Sequence, residues 1–336
     1  MRAFRLPLLM ALLPLAACGG DSSALDPAGP GAARIASLFW LMLAISAVIW
    51  FLVVAAAIAA FYVGRKRFSP SLNEAGERRR SMIVGGAVGA TVLVLVLFIG
   101  AAFLTDRELL ALERQPPAVE VEVTGHQWWW ELRYLDARPD RSFVTANELH
   151  VPVGGVVKLT LSSTDVIHSF WLPNLGPKRD VIPGRDNTLW LRVDEPGTWR
   201  GRCSEFCGYQ HAKMLLTVIA EPADAFERWR DAQAAPATPP SDPLARQGEQ
   251  VFASSACTMC HVVRGSPAGG YSANAPDLTH LMSRTTIAAG AAPNEPGWLA
   301  GWIVDPQGLK PGARMPPMAP APGELHALLA YLRGLR

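Results

Sequence analysis

The pattern of hydrophobic and polar positions changes twice along this chain. Two long runs without a charged residue come first, at 35–64 and 81–105. Each run exceeds the ~20 apolar residues that a membrane-spanning helix needs. We therefore predict two transmembrane helices, at 34–65 and 81–105, joined by a loop at 66–80.

After Pro116-Pro117 the hydrophobic period becomes two. Val119, Val121 and Val123 alternate with polar residues, as in a half-buried strand. Short β-rich runs follow, separated by Gly, Pro, Asn and Asp turns, and this arrangement predicts a sandwich or barrel. The further strands are predicted at 156–161, 188–193 and 214–219.

The last third of the chain has a third pattern. Residues 232–243 are rich in Ala and Pro and have little to bury, which predicts a semi-rigid extended linker. A helix-like stretch follows at 244–253. The pattern thus predicts that two small domains follow the membrane segments.

The N-terminus has the features of an export signal. Arg2 and Arg5 precede an apolar run at 6–17, which is too short to span a membrane. The run ends in Leu15-Ala16-Ala17-Cys18, which resembles a bacterial lipobox. We predict a lipoprotein-type signal peptide at 1–17, an acylated thiol at Cys18 and a polar tether at 18–33. An ordinary leader with an incidental cysteine is the alternative.

Basic residues between the two apolar runs predict the topology. The positive-inside rule places such a loop in the cytoplasm, so everything after Thr105 lies outside. The expected location is the bacterial plasma membrane, with the later domains on the periplasmic or extracytoplasmic side. The basic residues are Arg65, Lys66, Arg67, Arg78, Arg79 and Arg80.

Composition narrows the class further. The chain has 336 residues, half of them hydrophobic, and a net charge of only +2. No basic tract is interleaved with aromatic residues, so nucleic acid is not an expected partner. The five cysteines leave none for a disulfide framework, because Cys18 lies in the leader and the other four lie in two chemical motifs.

The first motif, at 203–214, gathers two thiolates, an imidazole and a thioether from Cys203, Cys207, His211 and Met214. Soft sulfur with imidazole selects copper over hard cations. The loop has more donors than one blue-copper ion would use. This spacing predicts two coppers that share two sulfurs.

A disulfide and a zinc site also stay open for this loop on spacing alone. An exported C-x-x-x-C pair can form a disulfide, and a set of two cysteines and two histidines can hold structural zinc. Zinc sites usually begin C-x-x-C, and neither a disulfide nor zinc needs Met214. Copper needs a further ligand from elsewhere, for which His168 is our candidate, although a lone His in an apolar run is more often a core residue.

The second motif is Cys257-Thr258-Met259-Cys260-His261. Its two thiols can form thioethers to the haem vinyls while the adjacent His binds the iron. Without His261, thioredoxin-like chemistry would compete. With it, and with an exported topology, the motif predicts a covalently bound haem c.

Two segments, 165–185 and 203–214, resemble the copper-ligand stretches of cytochrome c oxidase subunit II. The order of leader, hydrophobic segments, copper domain and cytochrome is similar to the haem-c-fused type over nearly the whole chain. The resemblance implies a multidomain membrane protein with a two-helix transmembrane hairpin. It further implies an all-β cupredoxin-like Greek-key barrel at 115–222, an Ala/Pro-rich linker at 223–243 and an all-α class I cytochrome c domain at 244–336.

The resemblance also implies a dinuclear copper A centre and the roles of its ligands. The Glu205 carboxylate would additionally reach a magnesium or manganese ion at the boundary with subunit I, since hard oxygen donors suit that ion. The implied copper ligands are Cys203 and Cys207 as bridges, His168 and His211 on one copper each, Met214 as a weak axial donor, and the backbone carbonyl of Glu205.

The run Gly125-His126-Gln127-Trp128-Trp129-Trp130 also matches the family. On a strand, Trp128 and Trp130 would share one face, so the pattern by itself predicts core packing. The family resemblance instead makes Trp128 a surface aromatic through which electrons enter the copper site.

In the cytochrome, the segment 310–316 resembles the class I Met loop. It implies Met315 as the second axial haem ligand, with Met318 as the alternative. A His/Met pair raises the reduction potential of a haem. The resemblance also implies that the Pro276 carbonyl orients His261 and that a C-terminal helix at 325–332 packs on the first helix.

One feature departs from the family. Subunit II commonly has a Glu near the start of its second helix that feeds protons toward the catalytic subunit, and residues 81–86 contain none. Glu74 and Glu77 lie close by, but a charge among arginines is more often solvated. We assign a proton-uptake role to neither.

The function implied is that of subunit II of a respiratory cytochrome c oxidase. Electrons would pass from a cytochrome c or another respiratory donor to haem c, then to copper A, then to haem in subunit I, where oxygen is reduced to water with proton pumping. The implied partners are subunit I and the other oxidase subunits. A copper A subunit of a nitric oxide reductase and a membrane-tethered electron carrier are the alternatives. A quinol-oxidase subunit is excluded, because that branch lacks the copper ligands.

Overall fold

The structure is a computed structural model that describes residues 19–64, 74–267 and 275–336. The described residues form two compact units. One unit, Ala33–Arg114, consists mainly of two long helices. The other combines the residues before Ala33 with Gln115–Arg336 and contains a β-sandwich and a helical domain.

The helical unit contains α1 (Pro30–Gly64) and α2 (Glu74–Leu109). Both helices are long and apolar enough to cross a membrane. The Arg34 Nη1 and Glu108 Oε2 atoms lie 3.0 Å apart and join the start of α1 to the end of α2. The two helices therefore form an antiparallel pair, as a transmembrane hairpin requires.

The loop predicted at 66–80 is shorter than expected. Residues 65–73 lie outside the described part of the chain, but α2 already begins at Glu74. The charged run at 77–80 is helical rather than part of the loop, because Glu and Arg are both good helix formers. Arg78, Arg79 and Arg80 therefore form part of the first turns of α2.

The segment predicted as a polar tether is packed on the sandwich. The Asn174 side-chain amide donates to the Gly20 and Asp26 carbonyls at 2.9 and 2.7 Å. The Arg200 Nε and Asp21 Oδ2 atoms lie 3.0 Å apart. The sequence did not predict this attachment, because the polar segment lacks an apolar periodicity. Cys18 and the leader lie outside the described residues.

The sandwich consists of two mixed five-stranded sheets. One has the strand order β3-β2-β1-β5-β8, and the other has the order β4-β10-β9-β6-β7. The pairs β1/β5 and β4/β10 are parallel, and the remaining pairs are antiparallel. The strands are β1 (Val119–His126), β2 (Trp129–Leu135), β3 (Phe143–Ala146), β4 (Glu148–Pro152), β5 (Val156–Ser163), β6 (His168–Trp171), β7 (Arg179–Val181), β8 (Asn187–Arg192), β9 (Gly197–Cys203) and β10 (Leu215–Glu221).

The two sheets share one apolar core. Val119, Val121 and Val123 are buried in it, which confirms the predicted alternation in β1. Leu161 and Phe170, from opposite sheets, are also buried there. Burying a side chain of this size stabilises the fold by ~1.5–3 kcal/mol relative to leaving it exposed. This core holds the strand ends and loops of the sandwich in place.

The segment predicted as a linker begins with a helix, α3 (Ala223–Ala234). Phe226 is buried in the sandwich core, and Trp229 stacks on His150 with ring centroids 4.0 Å apart. The sequence prediction of a linker at 223–243 is therefore wrong for its first half. Two aromatic side chains three positions apart share one helical face, and burying that face fixes the helix on the sandwich.

The remaining part of that segment is also held in place. The Arg264 guanidinium donates to the Gln233 and Ala234 carbonyls at 2.6 and 3.0 Å. The Ala237 N–H donates to the Arg264 carbonyl at 2.8 Å. Residues 235–242 thus have no helix or strand but are hydrogen-bonded to the helical domain.

The helical domain follows, with α4 (Pro243–Ser254), α5 (Pro296–Val304), α6 (Pro306–Leu309) and α7 (Pro322–Leu332). The Asp242 carboxylate caps α4 by accepting from the Ala245 N–H at 2.9 Å. A short hairpin pairs β11 (Thr286–Ile287) with β12 (Ala292–Pro293).

Single turns of 3-10 helix occur in several parts of the chain. They lie at Leu112–Arg114, Pro139–Arg141, His211–Lys213, Ala256–Met259 and Leu281–Ser283.

The first and last helices of this domain pack closely, as the sequence predicted. A Cβ at Gly248 of α4 would overlap the Ala327 carbonyl of α7. Phe252 and Tyr331 add a ring contact of 5.8 Å across the same pair. Glycine is required at this crossing because only a residue without a side chain lets the two backbones approach so closely.

Candidate copper and haem sites

The sulfur and imidazole groups singled out in the sequence lie together at one end of the sandwich. His168 begins β6, Cys203 ends β9, and Met214 directly precedes β10. The Cys203 N–H donates to the Met214 carbonyl at 3.0 Å, which closes the loop between β9 and β10. His168 and Met214 have no solvent-exposed surface.

The donor atoms are arranged around the two cysteine sulfurs, which lie 3.8 Å apart. The His168 Nδ1 atom is 3.8 Å from the Cys203 sulfur, and the His211 Nδ1 atom is 3.6 Å from the Cys207 sulfur. The Met214 sulfur lies 3.9 Å from the Cys207 sulfur. Five soft or borderline donors therefore surround one buried space, which suits copper.

Hydrogen bonds favour the thiolate form of one of the two cysteines, Cys203. The bond between the two sulfurs is the main cause that lowers the pKa of Cys203 and raises the pKa of Cys207. Burial opposes protonation of His168, but its bonds to Cys203 and Asp165 raise its pKa. The thiolate is the form of cysteine that binds metal, so one sulfur is already prepared for an ion.

Asp165 and Gln127 support these side chains, and the sequence alone assigned neither a role. The Asp165 carboxylate accepts from the His168 Nε2 atom at 2.9 Å and from the Gln127 N–H at 2.7 Å. The first bond leaves Nδ1 of His168 to face the sulfurs. Gln127 donates through its side chain to the Cys207 carbonyl at 2.8 Å. The three-residue spacing of Asp165 and His168 was the signal for the carboxylate.

The backbone of Glu205 lies at the copper site, and its side chain lies at the surface. Its carbonyl lies 3.2 Å from the Cys203 sulfur, whereas its side chain is exposed. Phe206 and Tyr209 on the same loop are 76% and 92% exposed. Two exposed aromatic side chains beside an exposed carboxylate are unusual for a solvent-facing loop, because large aromatic groups are typical of interfaces.

Trp128 differs from both sequence-based expectations. It lies in the turn between β1 and β2 rather than on a strand, so it does not share a strand face with Trp130. It is also not a surface aromatic, since it is 8% exposed and residues of the helical domain cover it. Its indole N–H donates to the Cys207 carbonyl at 2.9 Å. The turn thereby connects the helical domain to the loop at 203–214, called the copper-ligand loop below.

A cavity of about 520 Å³ lies between the sandwich and the helical domain. Cys257, Cys260 and His261 line one side of it, and Trp128 lines another. Its lining is mostly apolar, which suits the flat hydrophobic body of a haem. The cavity size and the C-x-x-C-H residues in its wall fit a haem group.

The axial candidates also line this cavity. The His261 Nδ1 atom lies 2.8 Å from the Pro276 carbonyl oxygen, which fixes the tautomer in which Nδ1 carries the proton. Burial lowers the pKa of His261, which favours the neutral imidazole. The lone pair on its Nε2 atom can then bind a metal. Met315 and Met318 both line the cavity, and geometry alone leaves both available.

Together, the two apolar helices, the sandwich and the helical domain define a class of membrane protein in which a cupredoxin-like domain precedes a cytochrome c domain. Comparison with known proteins identifies the family. A model of the cytochrome c oxidase subunit II periplasmic domain matches residues 119–221, and a cytochrome c model matches residues 245–336.

Curated relatives match over the full length of the chain. Cytochrome c oxidase subunit 2 of Alkalihalophilus pseudofirmus is 34% identical over 340 residues, covering 98% of this chain and 96% of the relative. Its counterpart from Bacillus subtilis is 31% identical over 365 residues, covering 100% and 99%. A crystal structure of the periplasmic domain of subunit II of the Bradyrhizobium japonicum cytochrome oxidase is 32% identical and covers 35% of this chain and 95% of that structure, with a TM-score of 0.33.

This chain belongs to the cytochrome c oxidase subunit II family, in the form that carries a C-terminal cytochrome c domain. The family and fold class predicted from the sequence are confirmed. Membership implies a component of a haem-copper oxidase that acts in electron transfer, with copper A in the first domain and haem in the second. It also implies association with other oxidase subunits.

Proposed function

We propose that this chain is the electron-input subunit of a respiratory cytochrome c oxidase. It takes electrons from a cytochrome c or another respiratory donor and delivers them to haem in subunit I, where oxygen is reduced to water and protons are pumped. One observation carries this proposal. The cavity lined by Cys257, Cys260 and His261 is also lined by Trp128, whose indole is hydrogen-bonded to Cys207.

In the copper domain, Cys203 and Cys207 would bridge two coppers, and His168 and His211 would bind one each. The distances of 3.6–3.8 Å from the imidazoles to the sulfurs support this assignment. Met214 and the Glu205 carbonyl would complete the set as weak donors. When bound, the coppers and the haem supply centres that accept and release one electron.

In the cytochrome domain, Cys257 and Cys260 would hold the haem covalently through thioethers. His261 would bind the iron, because the Pro276 carbonyl leaves its Nε2 atom free. Met315 would be the second axial ligand. A His/Met pair gives a high reduction potential, which suits an acceptor of respiratory electrons.

Trp128 would be the residue through which electrons enter the copper domain. Trp128→Phe keeps an aromatic ring but loses the indole N–H bond to Cys207. We expect electron delivery to the copper centre to slow by roughly one to two orders of magnitude, since small misplacements of positioned groups have effects of that size. The measurement is the rate of copper reduction after mixing with a reduced donor. Trp190→Phe, on β8, is the matched control, and equal rates in both variants would reject the route.

The exposed carboxylate of Glu205 would meet subunit I and bind a magnesium or manganese ion there. Its exposure beside Phe206 and Tyr209 supports a partner surface at this loop. In a manganese-loaded complex, Glu205→Gln should weaken the manganese electron paramagnetic resonance signal and keep the copper signal. An unchanged manganese signal would remove Glu205 from that site.

The topology is part of the same proposal. Both helices would cross a bacterial plasma membrane with residues 66–80 on the cytoplasmic side and both metal domains on the periplasmic side. Cleavage after Ala17 would leave Cys18 for acylation. The copper domain would begin at 115 and include α3 (Ala223–Ala234), and the cytochrome would extend over 244–336, joined to it through 235–243.

The proposal is tested by purifying the complex through a tag on this chain. Metal and haem analysis should find two coppers and one covalent haem c for each copy, with a large haem-bearing membrane subunit attached. Absence of that subunit would favour a membrane-tethered electron carrier. Consumption of nitric oxide instead of oxygen would favour a nitric oxide reductase.

A further inference from the structure

The contact between the two metal domains contains a buried lysine. Lys310, in the Met loop of the cytochrome domain, is only 3% exposed. Its Nζ atom donates to the Trp128 carbonyl at 2.7 Å, the Lys213 carbonyl at 2.8 Å and the Ala288 carbonyl at 3.1 Å. It forms no ion pair with any residue that the structure describes.

This arrangement satisfies the ammonium only when the domains are docked. An ammonium has three N–H donors, and a buried charge is strongly unfavourable unless all of them are bonded. Two of its three acceptors, Trp128 and Lys213, belong to the copper domain. Burial is the main cause that lowers the pKa of Lys310 to about 7, the nearby Cys207 sulfur opposes this shift, and the Lys213 ammonium adds to it. A shifted domain would lose two of these three bonds.

The segment around Lys310 makes further contacts with the copper domain. The Gln210 side-chain amide donates to the Pro311 carbonyl at 2.5 Å, and the Lys213 ammonium donates to the Leu309 carbonyl at 2.7 Å. The Arg314 guanidinium donates to the Gln127 side-chain oxygen at 2.8 Å. The loop that carries the proposed axial Met315 therefore lies directly on the copper-ligand loop.

A second buried charge has the reverse arrangement. Glu148 of the copper domain is 3% exposed, and its carboxylate accepts from the Thr285 and Thr286 backbone N–H groups at 2.6 and 3.3 Å and from the Thr285 hydroxyl. All these donors belong to the cytochrome domain. Each domain thus inserts one charged side chain whose hydrogen-bond partners belong mainly to the other domain, and the buried Arg284 of the cytochrome domain also interacts electrostatically with Glu148. In some proteins buried charges of this kind specify one orientation more than they add stability.

We propose that Lys310 is a positioning residue whose ammonium fixes the cytochrome domain in one docked orientation, with the haem cavity held against Trp128. This inference rests on the proposed function, because it concerns transfer between the two metal sites. The connecting segment holds the two domains together on one side, and Lys310 holds them at the face between the two metal sites. Lys310 and Glu148 together hold the interface in one geometry. The distance over which an electron passes between the two metal sites is thereby fixed.

The test is Lys310→Met in the intact purified complex, since the Met side chain has nearly the shape of the aliphatic part of lysine but has no charge or N–H donor. Two quantities are measured: the haem–copper distance distribution from electron paramagnetic relaxation, and the rate of electron equilibration between the two centres. We expect a broader distribution and a rate at least about tenfold lower, because loss of a fixed geometry has effects of this size. Lys158→Met, which removes a lysine on the outer face of β5, should change neither quantity.

Unchanged distances and rates in a fully loaded Lys310→Met complex would overturn the inference. If that variant loses copper or haem, Glu148→Gln decides instead, because it weakens the interface from the copper side with little change in shape. A broadened distribution in Glu148→Gln supports fixed docking, and an unchanged one rejects it. Failure of the proposed function is distinguishable, since the unmodified complex would then lack a metal centre, lack the haem-bearing membrane subunit, or consume nitric oxide instead of oxygen.

Discussion

Replacement of Cys207 by serine is expected to abolish the dinuclear copper spectrum. The Cys207 sulfur lies within 4 Å of the Cys203 and Met214 sulfurs and the His211 Nδ1 atom, so it is at the centre of the donor set. A serine hydroxyl is a hard donor and does not deprotonate near neutral pH, whereas a bridge between two soft ions needs a thiolate. Bound copper should fall from two ions toward one or none.

The measurement is copper content together with the visible and electron paramagnetic resonance spectra of the purified complex. Haem absorption serves as an internal control, because Cys257 and Cys260 are untouched and should still hold the haem. The reciprocal variant, Cys257→Ser with Cys260→Ser, should lose haem and keep both coppers. Retention of two coppers with an unchanged spectrum in Cys207→Ser would refute the ligand assignment.

The second large effect is expected from Met315→Ala. Loss of a thioether ligand should change the haem absorption spectrum and lower the reduction potential by on the order of 0.1 V, within the roughly 0.8 V that axial ligands control. Met318→Ala is the matched comparison, because both side chains line the same cavity. Redox titration of both variants shows which of the two methionines binds the haem iron.

Met318 has a packing role, so its removal should be milder. Its side chain packs on the apolar core of the cytochrome domain, and its N–H donates to the Ile303 carbonyl at 3.1 Å. Met318→Ala should therefore lower stability and leave the Met-ligated spectrum in place. An unchanged Met-ligated spectrum in Met315→Ala would transfer the axial role to Met318.

Much of the fold could be predicted because its signals are local. The alternation of Val119, Val121 and Val123 depends on burial of one strand face, and the C-x-x-C-H motif needs only five neighbouring residues. The copper loop is similar, since Cys203 to Met214 lie within one connection between strands. Among the predicted copper ligands, only His168 lies far from this loop in the sequence. The resemblance to a family motif was needed to predict it.

The errors have a common physical origin. The helix at 223–234 and the packed segment at 19–32 are short polar or Ala-rich stretches that are held by tertiary contacts rather than by their own periodicity. The Ala- and Pro-rich composition obscured the pair Phe226 and Trp229, which is the amphipathic signal in that helix. The stacked pair Trp229 and His150 and the bonded pair Asn174 and Gly20 join residues far apart in the chain, which a local pattern does not encode.

The interface between the metal domains was the least predictable feature. Lys310 and its acceptor Trp128 are 182 positions apart, and a lysine in a polar loop gives no sign that it is buried. Trp128 was expected to be exposed, because a separate cytochrome needs a surface on which to dock. In this chain a covalently attached cytochrome domain already covers it.

The central claim is that respiratory electrons reach oxygen through the two metal domains of this chain. The most direct measurement is oxygen consumption by the intact complex, purified through this chain and supplied with a reduced cytochrome c donor. We expect oxygen consumption that is largely lost in the haem-free variant Cys257→Ser with Cys260→Ser. A complex that consumes no oxygen, or one whose rate is unchanged without the haem, would contradict the claim.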